Sequence, residues 1–296
     1  VAIDRRIAES TFDLRRGAWN KKTYSSAEGL YGRTLGIVGV GEVGLALAER
    51  SRAFGMRILA QRKVGRRPEV ETRIRSIGIR LVDDLSELLA VSDIVSIHLP
   101  ATPENIGLVG DNFLGQMKEN AVLINTSRGE LIDEEALLRA MESKGIRAGL
   151  DVFIDEPKSS VGDFHSDLAS HPNVIGTHHI GASTQQAQDA TSVGTVQVIE
   201  AYRHGNPINC VNMGKGRVGS TTITLRHYDR VGVLAAVFEV LKEAEVNAET
   251  MQNKVFDGSN AAVAVIDVSG EITDEVISQL SGLENVIQVQ VSQREQ

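Results

Sequence analysis

Three glycines, Gly39, Gly41 and Gly44 in GVGEVG, stand between the apolar run TLGIV and the helix-compatible stretch VGLALAERSRAFG. Of everything in the chain, this placement most restricts the fold. In such a turn the first glycine permits a tight bend and the second lets the backbone approach a pyrophosphate. The third allows helix and strand to pack closely. Free N–H groups near Glu42 and Val43, at the helix start, would face the phosphates. A dinucleotide is therefore the expected ligand.

The surrounding sequence has the rhythm that this turn needs. From Thr34 to about Thr177, the short apolar runs TLGIVGV, MRILA, IRLVD, DIVSIHL, AVLINTS, IRAGLDVF and NVIGTHH alternate with amphipathic stretches such as LALAERSRAFG and DEEALLRAMESKG. Near-continuous apolar strands joined by crossover helices predict a doubly wound parallel-sheet Rossmann domain of α/β class, over residues 34–182. Residues 1–33 read as an approach helix and the remnant of a preceding substrate-binding domain, and 183–205 as a long return helix that stops at Gly205, with Pro207 beyond it. Residues 206–217, NPINCVNMGKGR, have no periodicity and read as a linker. From 218 to 296 the pattern becomes strand, helix, strand, strand, helix, strand, the βαββαβ order of a ferredoxin-like unit.

Bulk properties narrow the partners. A chain of 296 residues exceeds one ordinary domain, and a net charge of -8 argues against a nucleic-acid-binding surface. No apolar run reaches the length of a membrane span, and no signal-like segment opens the chain. The single cysteine, Cys210, carries no metal-ligand spacing, so no metal site is expected and a cytoplasmic, reducing setting fits best.

An acidic residue about 20 positions after the glycines usually binds the adenosine ribose. Here MRILA is followed by Gln61, Arg62 and Lys63, with Arg66 and Arg67 close behind, and no carboxylate. That combination accommodates a 2′-phosphate, so either NAD or NADP is expected. Three further residues lie in motifs expected at carboxyl ends of strands, where ligands of open parallel sheets bind: Arg128 in NTSRG, Glu156 in DVFIDEP and His179 in THHIGAS. A guanidinium, a carboxylate and an imidazole downstream of a dinucleotide site are what hydride transfer to a 2-keto acid requires.

GVGEVG, the HLP of His98 to Pro100, NTSRGE, GLDVFIDEP and HHIGAST together resemble the D-2-hydroxyacid dehydrogenase family; the C-terminal unit points to its phosphoglycerate dehydrogenase branch. The resemblance implies that Arg128 holds the substrate carboxylate and keto oxygen, that His179 exchanges the proton, and that Glu156 hydrogen-bonds His179. It implies Thr126, Ser127, Asp151 and Gly181 beside the nicotinamide, with Leu99, Pro100 and Thr102 on the adenosine side. His178 stands where many relatives have proline. The activity implied is reversible oxidation of 3-phosphoglycerate to 3-phosphohydroxypyruvate in L-serine synthesis. The alternatives are an NADPH-dependent glyoxylate or hydroxypyruvate reductase and a non-catalytic NADH-sensing module.

Residues 218–296 look like an ACT domain, a small ligand-binding module that commonly pairs across subunits. His227, Asp229 and Asn247 match positions that bind serine in inhibited relatives. RRGAWN, with Trp19, lies where relatives cross to a neighbouring subunit, which implies a homodimer or, with ACT pairing, a homotetramer. Family members begin with a substrate-binding half-domain of roughly one hundred residues. Only residues 1–33 precede the first strand here, and Val1 opens the chain, so a fragment of a longer product is expected over natural loss of that lobe.

Overall fold

The computed structural model describes residues 1–63, 65–66, 68–210, 219–258 and 260–293. Arg67 and residues 211–217 of the expected linker lie outside them. The chain divides into two compact units, Val1–Gly194 and Thr195–Gln296. The division falls inside the helix Gln185–Arg203, within the stretch read as a return helix.

The first unit holds strands β1 (Thr34–Val38), β2 (Arg57–Gln61), β3 (Arg80–Val82), β4 (Ile94–Ile97), β5 (Val122–Asn125), β6 (Arg147–Leu150) and β7 (Val174–Gly176). They form one sheet in the order β3-β2-β1-β4-β5-β6-β7, with every neighbouring pair parallel. The chain reverses its direction of travel across the sheet between β1 and β4, and a crevice opens at such a switch point. The apolar character of the strands has a direct cause: every residue of β1 is buried, because helices cover both faces. One core gathers Val38, Leu88, Val95, Leu123, Leu137 and Leu150, and the other gathers Leu35, Ile37, Leu45, Ile58, Ile74 and Val122.

Before β1, one approach helix was the expectation. Instead the structure has three short helices, α1 (Ala2–Arg5), α2 (Ile7–Arg15) and α3 (Lys21–Tyr24). Arg6 takes φ 50° and breaks the first two apart, while Asn20 caps the third by accepting from Thr23 N. Asp4 is buried and held by Arg33 at 3.0 Å, which fixes α1 against the domain. Of the helices between strands, α4 (Glu42–Ala53) and α5 (Pro68–Ile77) flank β2, with α6 (Leu85–Val91) and α7 (Asp111–Gln116) following in chain order. Then comes α8 (Glu134–Lys144), started by Asp133 accepting from Ala136 N and ended by Gly145 at φ 66°. The turn-length α9 (Asp167–Ser170) precedes β7, and α10 (Gln185–Arg203) follows it.

The second unit follows the expected βαββαβ order: β8 (Thr221–Tyr228), α11 (Val233–Glu243), β9 (Asn247–Val255), β10 (Ala261–Ser269), α12 (Asp274–Gly282) and β11 (Val286–Gln293). Its four strands are antiparallel in the order β11-β8-β10-β9. Ile223, Leu225, Val237, Leu241, Ile266 and Leu280 form its core. Alternation along β8, in which residues 221, 223, 225 and 227 are buried, is the signature of a sheet with one covered face.

Candidate active site

The glycine turn behaves as its sequence demands. Gly39 has φ 101°, and a Cβ there would stand 2.3 Å from the His98 carbonyl oxygen. A Cβ on Gly44 would meet the Gly39 carbonyl oxygen at 2.4 Å, so α4 packs against the turn backbone to backbone. Gly41, in contrast, has nothing within 4 Å of its Cβ direction. That open approach lies at the N-cap of α4, where no side chain occupies the N–H groups of Glu42, Val43 and Gly44. The residues present therefore fit a dinucleotide, whose pyrophosphate the helix start would take. Leu99 packs toward Gly39, and Pro100 turns the chain by accepting from Thr102 N at 3.0 Å. His98 bonds Ser96 Oγ through Nε2 at 2.9 Å, and burial pushes its imidazole below the usual histidine range.

At the end of β2, Arg62 and Arg66 are committed within the chain. Arg62 Nε donates to Asp83 Oδ1 at 2.7 Å, Gln61 Nε2 donates to the Asp83 carbonyl, and Arg66 Nη2 donates to the Gln61 carbonyl. Asp83, the residue directly after β3, thus places a carboxylate against Arg62 at the end of β2. Asp83→Asn should release Arg62 and shift preference from NADH toward NADPH by about 3- to 10-fold. Paired titrations of the two cofactors check this, and an unchanged ratio removes Asp83 from cofactor choice.

At the other side of the crevice, three loops lock together. Asn125 ends β5 fully buried; its Oδ1 accepts from Ser127 N and Oγ, and its Nδ2 donates to the Arg128 carbonyl. This shapes the loop that presents exposed Thr126 and Arg128. Arg128 itself donates from Nη1 to the Ser127 carbonyl. Gly129 lies so close to the next loop that a Cβ would fall 2.2 Å from the Phe153 carbonyl oxygen. Phe153 N in turn donates to Glu156 Oε1 at 2.8 Å, and Glu156 Oε2 meets His179 Nδ1 at 2.8 Å. The expected Glu156–His179 pair is formed. Hydrogen bonds and backbone packing therefore run continuously from the Arg128 loop to the imidazole.

Asp151 holds the third loop. Its Oδ1 accepts from Thr177 Oγ1 and Ile180 N, and its Oδ2 accepts from Gly181 N, so it bridges both sides of His179. His179 sits at φ 53°, a region costly for a residue with a Cβ and maintained only where the surroundings enforce it. Asp151 was expected beside the nicotinamide carboxamide; its main observed work is to fasten the histidine loop. Thr177 and Asn125 had no assigned role in the sequence reading, although each opens a motif, THHIGAS and NTSRG, whose charged residue drew the attention. Burial alone would raise the Asp151 pKa, but the Thr177, Ile180 and Gly181 bonds outweigh it and hold the carboxyl below its usual range. A depressed carboxyl pKa contributes stability above its unfolded value of about 3.9, and the contribution is lost as pH falls through the folded value. Thermal melts should therefore show Asp151→Asn less stable than wild type at pH 6, with the gap closing below about pH 4. A constant gap across that range would refute the assignment.

In the second unit, His227, Asp229 and Asn247 do not converge within one copy. Ala262 of β10 is opposite His227, whereas Ser269, at the other end of β10, is opposite Asn247. His227 is also buried, with Nδ1 against the Tyr228 carbonyl and Nε2 against Asn253 Oδ1 at 3.1 Å. Asn247 Nδ2 donates to Glu249. Among the described residues, no helix is long and apolar enough to cross a membrane.

The family model for the NAD binding domain of D-isomer specific 2-hydroxyacid dehydrogenases matches residues 1–181. The chain belongs to this family. It is 35% identical over 284 residues to a D-3-phosphoglycerate dehydrogenase of Methanocaldococcus jannaschii, covering 93% of this chain and 48% of that protein. To a glyoxylate reductase of Thermococcus litoralis it is 39% identical over 220 residues, which cover 72% and 63%. A glyoxylate reductase structure from Paecilomyes thermophila superposes with a TM-score of 0.61 at 33% identity, covering 71% of this chain and 61% of that one. The chain thus spans about half the length of the M. jannaschii relative.

Proposed function

We propose that this chain supplies the cofactor site and the catalytic residues of an NAD(P)-dependent D-2-hydroxyacid dehydrogenase that interconverts 3-phosphoglycerate and 3-phosphohydroxypyruvate. The observation that carries the reading is the Glu156–His179 pair, 2.8 Å apart and clamped by Asp151 at the carboxyl edge of the sheet that also bears the glycine turn. The bound nicotinamide supplies or accepts the hydride. Nδ1 of His179 is engaged by a carboxylate, so it carries its proton, and Nε2 is the nitrogen left to exchange one with substrate. In reduction, His179 gives its Nε2 proton to the keto oxygen as the carbonyl carbon receives hydride; in oxidation it takes the hydroxyl proton back. Arg128 pairs with the substrate carboxylate and polarises the adjacent keto group.

The phosphorylated substrate is favoured by the similarity to the M. jannaschii protein, which continues into the second unit. The βαββαβ unit is consistent with an ACT-type regulatory role, with L-serine as candidate effector. Because Asp229 and Asn247 stand at opposite ends of the sheet, a shared pocket would need two copies. Exposed Trp19, Phe12 and Leu14 support a homodimer or homotetramer. The Arg62 segment keeps NADPH-dependent reduction of glyoxylate or hydroxypyruvate as the second reading.

The test offers 3-phosphohydroxypyruvate, glyoxylate and hydroxypyruvate separately to the full-length gene product, with NADH and with NADPH, with and without serine. Fast turnover of the phosphorylated acid is the expected outcome. Glyoxylate preference would favour the second reading, and tight cofactor binding without turnover on any acid would indicate a sensor.

A further inference from the structure

The helix start that would take a pyrophosphate carries an anion in its own first turn. Glu42 is the first residue of α4, directly after Gly41, and its side chain is 74% exposed. An unopposed carboxylate in that first turn repels a pyrophosphate, whose own charges the helix start would otherwise attract. The chain meets this repulsion from α5. Arg73 Nη1 donates to Glu42 Oε2 at 2.7 Å, and Nη2 donates to Glu49 Oε1 at 3.2 Å. Glu42 and Glu49 are seven residues apart on α4, two turns along one face, so a single guanidinium spans both. The next residue after Arg73 is Ile74, which is buried in the core and fixes the place on α5 from which the arginine reaches. The two carboxylates raise the arginine's pKa, Glu42 foremost, so the cation persists at any working pH.

We propose that Arg73 is a positioning residue of the cofactor site, neutralising Glu42 and holding its carboxylate back from the phosphate cradle so that the dinucleotide binds. The proposal rests on the dinucleotide reading above. An ordinary surface ion pair changes stability slightly and cofactor affinity not at all. Arg73 differs because it acts on a charge that the ligand feels.

NADH fluorescence titrations on the full chain separate the two cases, using wild type, Arg73→Ala, Arg73→Lys, Glu42→Gln and the double variant Arg73→Ala/Glu42→Gln. Arg73→Ala should weaken NADH binding about 3- to 10-fold at low ionic strength, with the loss shrinking as salt is raised. Arg73→Lys should keep most of the affinity, and the double variant should bind as wild type or better, because the repelling charge is gone. Wild-type affinity in Arg73→Ala, or a double variant as weak as Arg73→Ala, overturns the proposal while leaving the dinucleotide site intact. A wild-type protein that binds neither NADH nor NADPH overturns the dinucleotide reading and this proposal together.

Discussion

His179→Asn should lower kcat for keto-acid reduction by about 10²- to 10⁴-fold, the usual contribution of a positioned general acid. Cofactor affinity, followed by fluorescence, should change far less, because the phosphate cradle lies on β1 and α4 and shares no hydrogen bond with the imidazole. Glu156→Gln should also reduce kcat, since an amide in place of the carboxylate holds Nδ1 less firmly and stabilises a charged ring less. The two residues form one unit through the 2.8 Å bond, so the double variant should lose little more than His179→Asn alone. Steady-state kinetics on the three variants decide it. A His179→Asn enzyme within a few-fold of wild type would remove the histidine from the chemistry.

A second large effect is expected far from any charged group. Gly129→Ala should lower the melting temperature by roughly 5–10 °C and cut turnover as well. The added methyl would sit 2.2 Å from the Phe153 carbonyl oxygen, 2.3 Å from its carbon and 2.8 Å from Ile154 N. All three are backbone atoms, so no side chain can swing aside, and the two loops must separate. That separation moves Arg128 on one side. On the other it disturbs Phe153 N, which holds Glu156. Differential scanning calorimetry and kcat/KM together check the prediction; a wild-type melt with normal activity would show that the loops yield at no cost.

The fold was legible wherever a local pattern carried it. Apolar runs closed by Gly39, Asn125 or Gly176 announce parallel strands, and the glycine spacing at 39, 41 and 44 announces the helix that follows. Glu156 and His179 were identifiable because each sits in a motif on the loop that follows a strand, β6 ending at Leu150 and β7 at Gly176, although their contact needed the sheet to bring β6 and β7 side by side. What stayed hidden depends on neighbours distant in sequence. Asp151 reaches Thr177, Ile180 and Gly181 across 26 to 30 residues, and no periodicity links them. Asp83 joins Arg62 only because β3 pairs with β2 and sets the residue after Val82 beside the residue after Gln61. The break at Arg6 carries neither glycine nor proline, and the opening segment therefore read as a single helix. Likewise, the bonds that tie His227 to the Tyr228 carbonyl and to Asn253, 26 residues away, carry no signature in the sequence.

The left-handed backbone at His179 implies a conflict between durability and turnover. Glycine adopts that region without the Cβ penalty that an imidazole-bearing residue pays. The variants that silence the proposed chemistry are then the ones that relax the chain, so a screen for heat resistance alone would drift toward inactive proteins at this position. Conversely, a histidine retained there marks a molecule selected for what it does rather than for how long it lasts.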